Sequence, residues 1–173
     1  MLIVFTGNGK GKTTASLGQA VRAVGRGKNV LMIQFIKGPL KSGEDNIEIK
    51  NKENGKGSFE IKKMGLGFVG ILGDKLPKEE HAEAARKALK YFKEELAKRD
   101  AIILDEVNVA VSLGLLTAEK VLKTVKDLPP EKIVIFTGRN APASFIEKAD
   151  LVTEMKEIKH PFNKKKFANA DLC

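Results

Sequence analysis

This chain is short of several residue types, and each shortage narrows what it does. Its one cysteine, Cys173, is the last residue, so neither a disulfide framework nor a Cys-ligated metal site is available within one chain. Tryptophan is absent and there is a single tyrosine, which leaves few flat side chains on which unpaired bases could stack. No apolar run approaches the roughly 18 residues of a membrane span, and the amino terminus enters an apolar segment without a signal-peptide pattern. A cytoplasmic protein with no membrane partner is expected.

Positive charge, by contrast, is plentiful. There are 31 Lys+Arg against 22 Asp+Glu, a formal charge of +9, which suits an anionic ligand and is also compatible with nucleic acid. The lysines are dispersed through Lys-Glu-rich helical segments as well as clustered at Lys164-Lys165-Lys166. With aromatics so sparse, this distribution favours a solvated surface over a nucleic-acid patch. A length of 173 residues is expected to form one domain with a substantial core.

The most informative stretch is Leu2 to Thr14. An apolar run, Leu2-Ile3-Val4-Phe5, leads into Thr6-Gly7-Asn8-Gly9-Lys10-Gly11-Lys12-Thr13-Thr14 and then into a helix-compatible segment. That is the strand, glycine-lysine loop and helix order of a phosphate-binding loop. Glycines let successive N–H groups turn inward on a polyphosphate, Lys12 adds a cation, Thr13 a hydroxyl suited to Mg²⁺, and the helix an amino-terminal partial positive charge. The loop is one residue short of the common G-x-x-x-x-G-K-[ST] spacing, with Thr6 where the first glycine would stand and Gly7 one place later. A phosphate is still the expected ligand, and the way the nucleotide lies in the loop is what the shortening alters.

Further along, Leu17, Ala20, Val21 and Val24 recur at helical spacing, and Asn29 to Ile36 reads as a strand buried on both faces. Between Lys37 and Lys75 lie eight of the sixteen glycines, mixed with charge, so this region is expected to be mostly loop around a short strand, Ser58 to Met64. Pro77 opens a long helix with Ala82, Ala85, Leu89, Phe92 and Leu96 as its buried stripe, and His81 is expected on its surface. Ala101 to Glu106 has the Walker B pattern, an apolar strand ending in carboxylates, Asp105 and Glu106, that reach a Mg²⁺ held at the phosphate loop. Thr117 caps a helix expected to run through Leu128, with Val121, Leu122 and Val125 inward. Lys132 to Thr137 is another buried strand, and Arg139 just beyond it is a candidate phosphate or nucleoside contact, or else the partner of a surface carboxylate. A short helix, Pro142 to Lys148, and a strand, Asp150 to Met155, precede a basic tail over 156–173. Strands alternating with helices imply an α/β, P-loop NTPase fold: a mostly parallel sheet of five or six strands with helices on both faces.

By themselves these residues define a Mg-ATP site and leave hydrolysis, kinase transfer and nucleotidyl chemistry open. The runs Ile3 to Thr14, Gln34-Phe35-Ile36-Lys37-Gly38, Met64-Gly65-Leu66-Gly67-Phe68, Leu104-Asp105-Glu106-Val107, Thr137-Gly138-Arg139 and Lys159-His160-Pro161-Phe162 together resemble the ATP:corrinoid adenosyltransferase family. The resemblance implies transfer of the adenosyl group of ATP to the Co(I) of a reduced corrinoid, with release of triphosphate. It implies that Asn8, Gly9, Lys10, Gly11, Lys12, Thr13, Thr14 and Arg139 bind ATP, and that Lys12, Thr13 and Glu106 are catalytic. Thr13, Glu106 and Asp105 would hold Mg²⁺. It also implies that the glycine-rich region 38–75 faces the corrinoid through Phe68, that an electron donor such as a flavoprotein reduces Co(II), and that the chain forms a homodimer. Relatives often carry two aromatics in that loop, and Gly70 stands where the second is expected. His160 is read as structural, not as a cobalt ligand. Two rival readings remain: an ATPase acting on single-stranded nucleic acid, and a non-catalytic corrinoid or nucleotide carrier.

Overall fold

The computed structural model describes residues 1–38, 41–53, 55–71 and 73–160. Alternation of side chains along buried strands sorts the apolar residues into two layers. Leu2, Val4, Leu31, Ile33, Phe35, Ile102, Leu104, Val134 and Phe136 enter one core, while Ile3, Phe5, Val30, Met32, Ala101, Ile103 and Ile135 enter another on the opposite face. The strands are β1 (Leu2–Thr6), β2 (Asn29–Gln34), β3 (Ser58–Lys63), β4 (Ala101–Asp105), β5 (Ile133–Thr137) and β6 (Leu151–Glu154). They form one six-stranded sheet in the order β3-β2-β4-β5-β1-β6, and every pairing is parallel.

The helices are α1 (Lys12–Gly25), α2 (Lys78–Glu95), α3 (Val107–Ser112), α4 (Ala118–Lys123) and α5 (Ala143–Lys148). Helix α1 alone buries the second core, through Ala20 and Val24. Helices α2 to α5 belong to the first, where Ala82, Ala85, Ala88, Leu89 and Phe92 of α2 pack on β2 and Phe145 of α5 meets Phe136 at 5.0 Å between ring centroids. Because all strands run the same way, their carboxyl ends share one rim, and the loop after β1, Asp105 at the end of β4 and Gly138 after β5 all lie along it.

Several expectations need correction. Val21 is half exposed, because the apolar stripe of α1 is only as wide as Ala20 and Val24 require. The helix opened by Thr117 stops at Lys123, and the chain to Leu128 continues in turns that still bury Val125. Helix α3 was not anticipated; it starts on the residue after Glu106, a six-residue helix too short to display a period. A 3-10 helix over Gly43–Asn46, closed by a capping box between Ser42 and Asp45, interrupts what reads as plain loop. His81 is not a surface residue: it is 3% exposed, with Nε2 3.1 Å from Asp74 Oδ2. Asp74 in turn accepts the backbone N–H groups of Gly70 and Leu76, so the pair knots the glycine-rich loop onto α2. The tail run Lys164 to Lys166, like Pro161 and Phe162, lies outside the described residues.

Candidate active site

The phosphate loop is shaped by two glycines in the left-handed region, Gly7 (φ 96°) and Gly11 (φ 113°), which only glycine adopts freely. Its outer side rests on the end of β6: Gly9 N–H donates to Met155 O at 2.7 Å, and a Cβ on Gly9 would sit 2.7 Å from the Lys156 backbone. Lys12 is 7% exposed, and its Nζ donates to Gly9 O at 2.6 Å, so the ammonium is held within the curve of the loop. Burial lowers the Lys12 pKa, Glu106 opposes the shift and Arg139 adds to it.

Thr13, one residue into α1, donates from Oγ1 to Asp105 Oδ1 at 2.9 Å. This ties the phosphate loop to the end of β4 across one intervening strand, β5. Asp105 is fully buried and is held by its two oxygens differently. Oδ1 receives Thr13 and the Thr137 hydroxyl at 2.7 Å, whereas Oδ2 receives Gln34 Nε2 at 3.1 Å and has Lys37 Nζ at 3.7 Å. The Thr137 hydroxyl also accepts the Glu106 N–H at 3.0 Å. Glu106 itself has φ 62°, a strained backbone for a residue with a Cβ, and such outliers gather at functional sites. Gly138 (φ 127°) leaves room beside it, since a Cβ there would approach Glu106 Oε2 at 3.0 Å. Burial and the neighbouring Asp105 raise the Glu106 pKa, against the pull of Lys12, Lys37 and Arg139. Those three cations therefore all act on Glu106.

Asp105, not Glu106, is the carboxylate bonded to Thr13. Lys12, Thr13, Asp105 and Glu106 come together as the sequence implies, with Arg139 exposed on the rim close enough to act on both Lys12 and Glu106. Asn8, Lys10 and Thr14 are exposed around the loop. Phe68 is elsewhere on the rim, past the end of β3, 48% exposed between Leu66 at 40% and Ile71 at 59%. Gly70 has φ 69°, so an aromatic at that position would be strained. Sequence reasoning gave no role to Gln34, Lys37 and Thr137, which it singled out only within runs that carry the family resemblance, and it missed Glu44 and Asn108 altogether. Gln34 carried a signal, a polar residue at the end of an apolar strand. Asn108, whose Nδ2 spans Phe5 O and Gly138 O, carried none.

The donor set suits Mg²⁺. The Thr13 hydroxyl proton is committed to Asp105, which leaves the oxygen's lone pairs for a hard cation, and two carboxylates stand beside it. Among the described residues no group of three His, Cys, Asp or Glu is assembled to hold a metal alone; a Mg²⁺ here would take its remaining ligands from phosphate oxygens and water, as is usual for this ion.

Comparison with known proteins identifies the family. The family model ATP:corrinoid adenosyltransferase BtuR/CobO/CobP matches residues 1–170. The chain is 38% identical over 165 residues to the corrinoid adenosyltransferase of Escherichia coli strain K12, covering 94% of this chain and 80% of that one. It is 37% identical over 165 residues to corrinoid adenosyltransferase CobA of Salmonella typhimurium strain LT2, with the same coverage. It is 38% identical over 164 residues to the corrinoid adenosyltransferase of Pseudomonas aeruginosa, covering 94% and 77%. A phosphate loop joined to a Walker B carboxylate, inside a match that spans nearly the whole sequence, places this chain in the ATP:corrinoid adenosyltransferase family.

Proposed function

We propose that the protein transfers the 5′-deoxyadenosyl group of ATP to the Co(I) of a corrinoid and releases triphosphate. Adenosyl transfer from ATP to a corrinoid follows from the family; the residue roles and the products are this proposal's own. A Co(I) corrinoid is itself the nucleophile. The cobalt–carbon bond forms as the bond from C5′ to the triphosphate oxygen breaks, so the protein need not supply a base. What it must do is align C5′ with cobalt and stabilise the departing charge. The observation that carries the reading is the Thr13–Asp105 bond, which joins the phosphate loop and its Lys12 to the carboxylates at the end of β4. Thr13, Asp105 and Glu106 would hold Mg²⁺, which when bound neutralises phosphate oxygens. The corrinoid would approach from the Phe68 side, where Leu66, Phe68 and Ile71 present apolar surface. Reduction of Co(II) by an external donor such as a flavoprotein, and a homodimeric assembly, belong to the same proposal. No described helix is long and apolar enough to cross a membrane.

The test is incubation with Mg-ATP and chemically reduced cobalamin. Inorganic triphosphate and the cobalt–carbon product are expected in equal amounts. Orthophosphate without alkylated corrinoid would overturn the proposal in favour of an ATPase.

A further inference from the structure

We infer that Lys37 is a second cationic contact for the triphosphate of ATP, held at the site by Glu44 and reaching it beside the Asp105 oxygen that Thr13 does not use. Lys37 follows β2, on the same rim as the phosphate loop, but 25 residues beyond Lys12 and outside the phosphate-loop motif. Its Nζ donates to Glu44 Oε1 at 2.7 Å and stands 3.7 Å from Asp105 Oδ2, with the side chain one-third exposed at 33%. Glu44 comes from the 3-10 helix Gly43–Asn46, so a segment between β2 and β3 reaches back to the rim.

Gln34 fixes the spacing of this cluster. It is fully buried, and its Nε2 contacts both acceptors that flank the ammonium, Asp105 Oδ2 at 3.1 Å and Glu44 Oε1 at 3.4 Å. Its Oε1 is one of two buried side-chain polar atoms left without a partner among the described residues, an acceptor whose desolvation is uncompensated unless a ligand or its water meets it.

Lys37 is more than a counter-ion for buried Asp105. Asp105 already receives hydrogen bonds from Thr13, Thr137 and Gln34. A separation of 3.7 Å is an ion-pair distance without a hydrogen bond, and an ammonium has three donors, of which Glu44 takes one. The remaining donors sit at the exposed rim where the phosphates gather. Burial works against the charged form of Lys37, but Asp105 and Glu44 overcome it and hold its pKa above the ordinary value. For a reaction whose leaving group is a whole triphosphate, a cation at each end of the carboxylate pair spreads the stabilisation that a lone loop lysine would concentrate on one phosphate.

The inference rests on the ATP reading of the site, and it is tested without corrinoid so that the two can fail separately. Binding of Mg-tripolyphosphate is measured by calorimetry for the wild type, Lys37→Met and Lys37→Arg, with melting temperatures alongside. Lys37→Met is expected to weaken tripolyphosphate at least about 10-fold and Lys37→Arg to restore most of the loss. In the wild type, limited acetylation read by mass spectrometry is expected to modify Lys37, and Mg-tripolyphosphate to protect it while adenosine does not. The labelling arm needs no variant and stands even if Lys37→Met fails to fold. A folded Lys37→Met that binds tripolyphosphate like the wild type, or Lys37 labelling that tripolyphosphate leaves unchanged, would overturn the inference. Loss of adenosyl transfer with tripolyphosphate binding intact would count against the proposed reaction and not against Lys37.

Discussion

Lys12 is nearly sealed from water, with its ammonium on Gly9 O and its pKa lowered by burial. A cation placed so that it need not reorganise is worth more to a departing polyanion than an exposed one. Lys12→Ala is expected to lower kcat by about 10²–10³-fold with little change in melting temperature, measured with chemically generated Co(I) so that reduction does not limit the rate. Asp74 makes a different kind of point. Backbone hydrogen bonds from Gly70 and Leu76, then the charge of His81, hold its carboxyl below the ordinary aspartate value. A depressed folded-state pKa contributes stability that is fully present above the unfolded value and is lost as pH falls through the folded one. The Gly70 and Leu76 amides are therefore expected to keep their hydrogen-exchange protection from neutral pH down to about the unfolded Asp value, and to lose it only below that; Asp74→Ala, which leaves no side-chain acceptor, should remove it at every pH.

At the scale of elements, the phosphate loop depends on β6. Although β6 is an edge strand with exposed side chains, its end supplies Met155 O to Gly9 N–H and backbone to the space a Cβ on Gly9 would need. Gly9→Ala must push the loop off that support. It is expected to weaken ATP binding by more than about 10-fold, since an ångström-scale misplacement is enough for such a loss, with the circular dichroism spectrum unchanged. Helix α2 carries the opposite load. Phe92 is fully buried in the core that α2 shares with β2 and the other helices of that face. Phe92→Ala is expected to cost about 3–5 kcal/mol, read from denaturant unfolding. The buried stripe of α2 was legible because 18 residues display a period, and β1, β2, β4 and β5 were legible because two-sided burial makes them continuous apolar runs. Helix α3 was not, since six residues cannot display one, and His81 was misread because nothing in its own helix announces that Asp74, seven residues earlier, turns back onto it.

Across the whole molecule the proposed site divides into a half that would take the nucleotide, on the ends of β1, β4 and β5, and an apolar rim past β3 that carries Phe68. The two halves are expected to fail independently. Phe68→Ala should depress turnover from Co(II) with a protein reductant while leaving turnover from chemically generated Co(I) close to wild type; equal losses in both assays would show that Phe68 acts on transfer itself.

The sequence alone determined the alternation of strands and helices, the phosphate loop, the Walker B carboxylates and the family resemblance, because each of these is written in residues adjacent in the chain. Tertiary structure decided what depends on strand order. Placing β2 beside β4 sets Gln34 in register with Asp105 and brings Lys37 and Glu44 to the carboxylate that Thr13 holds from the other oxygen. Placing β6 beside β1 gives the phosphate loop its support. The physical reason is that a parallel sheet aligns the carboxyl ends of strands far apart in sequence, so the partners of a charged group are chosen by the sheet's order and not by the chain's.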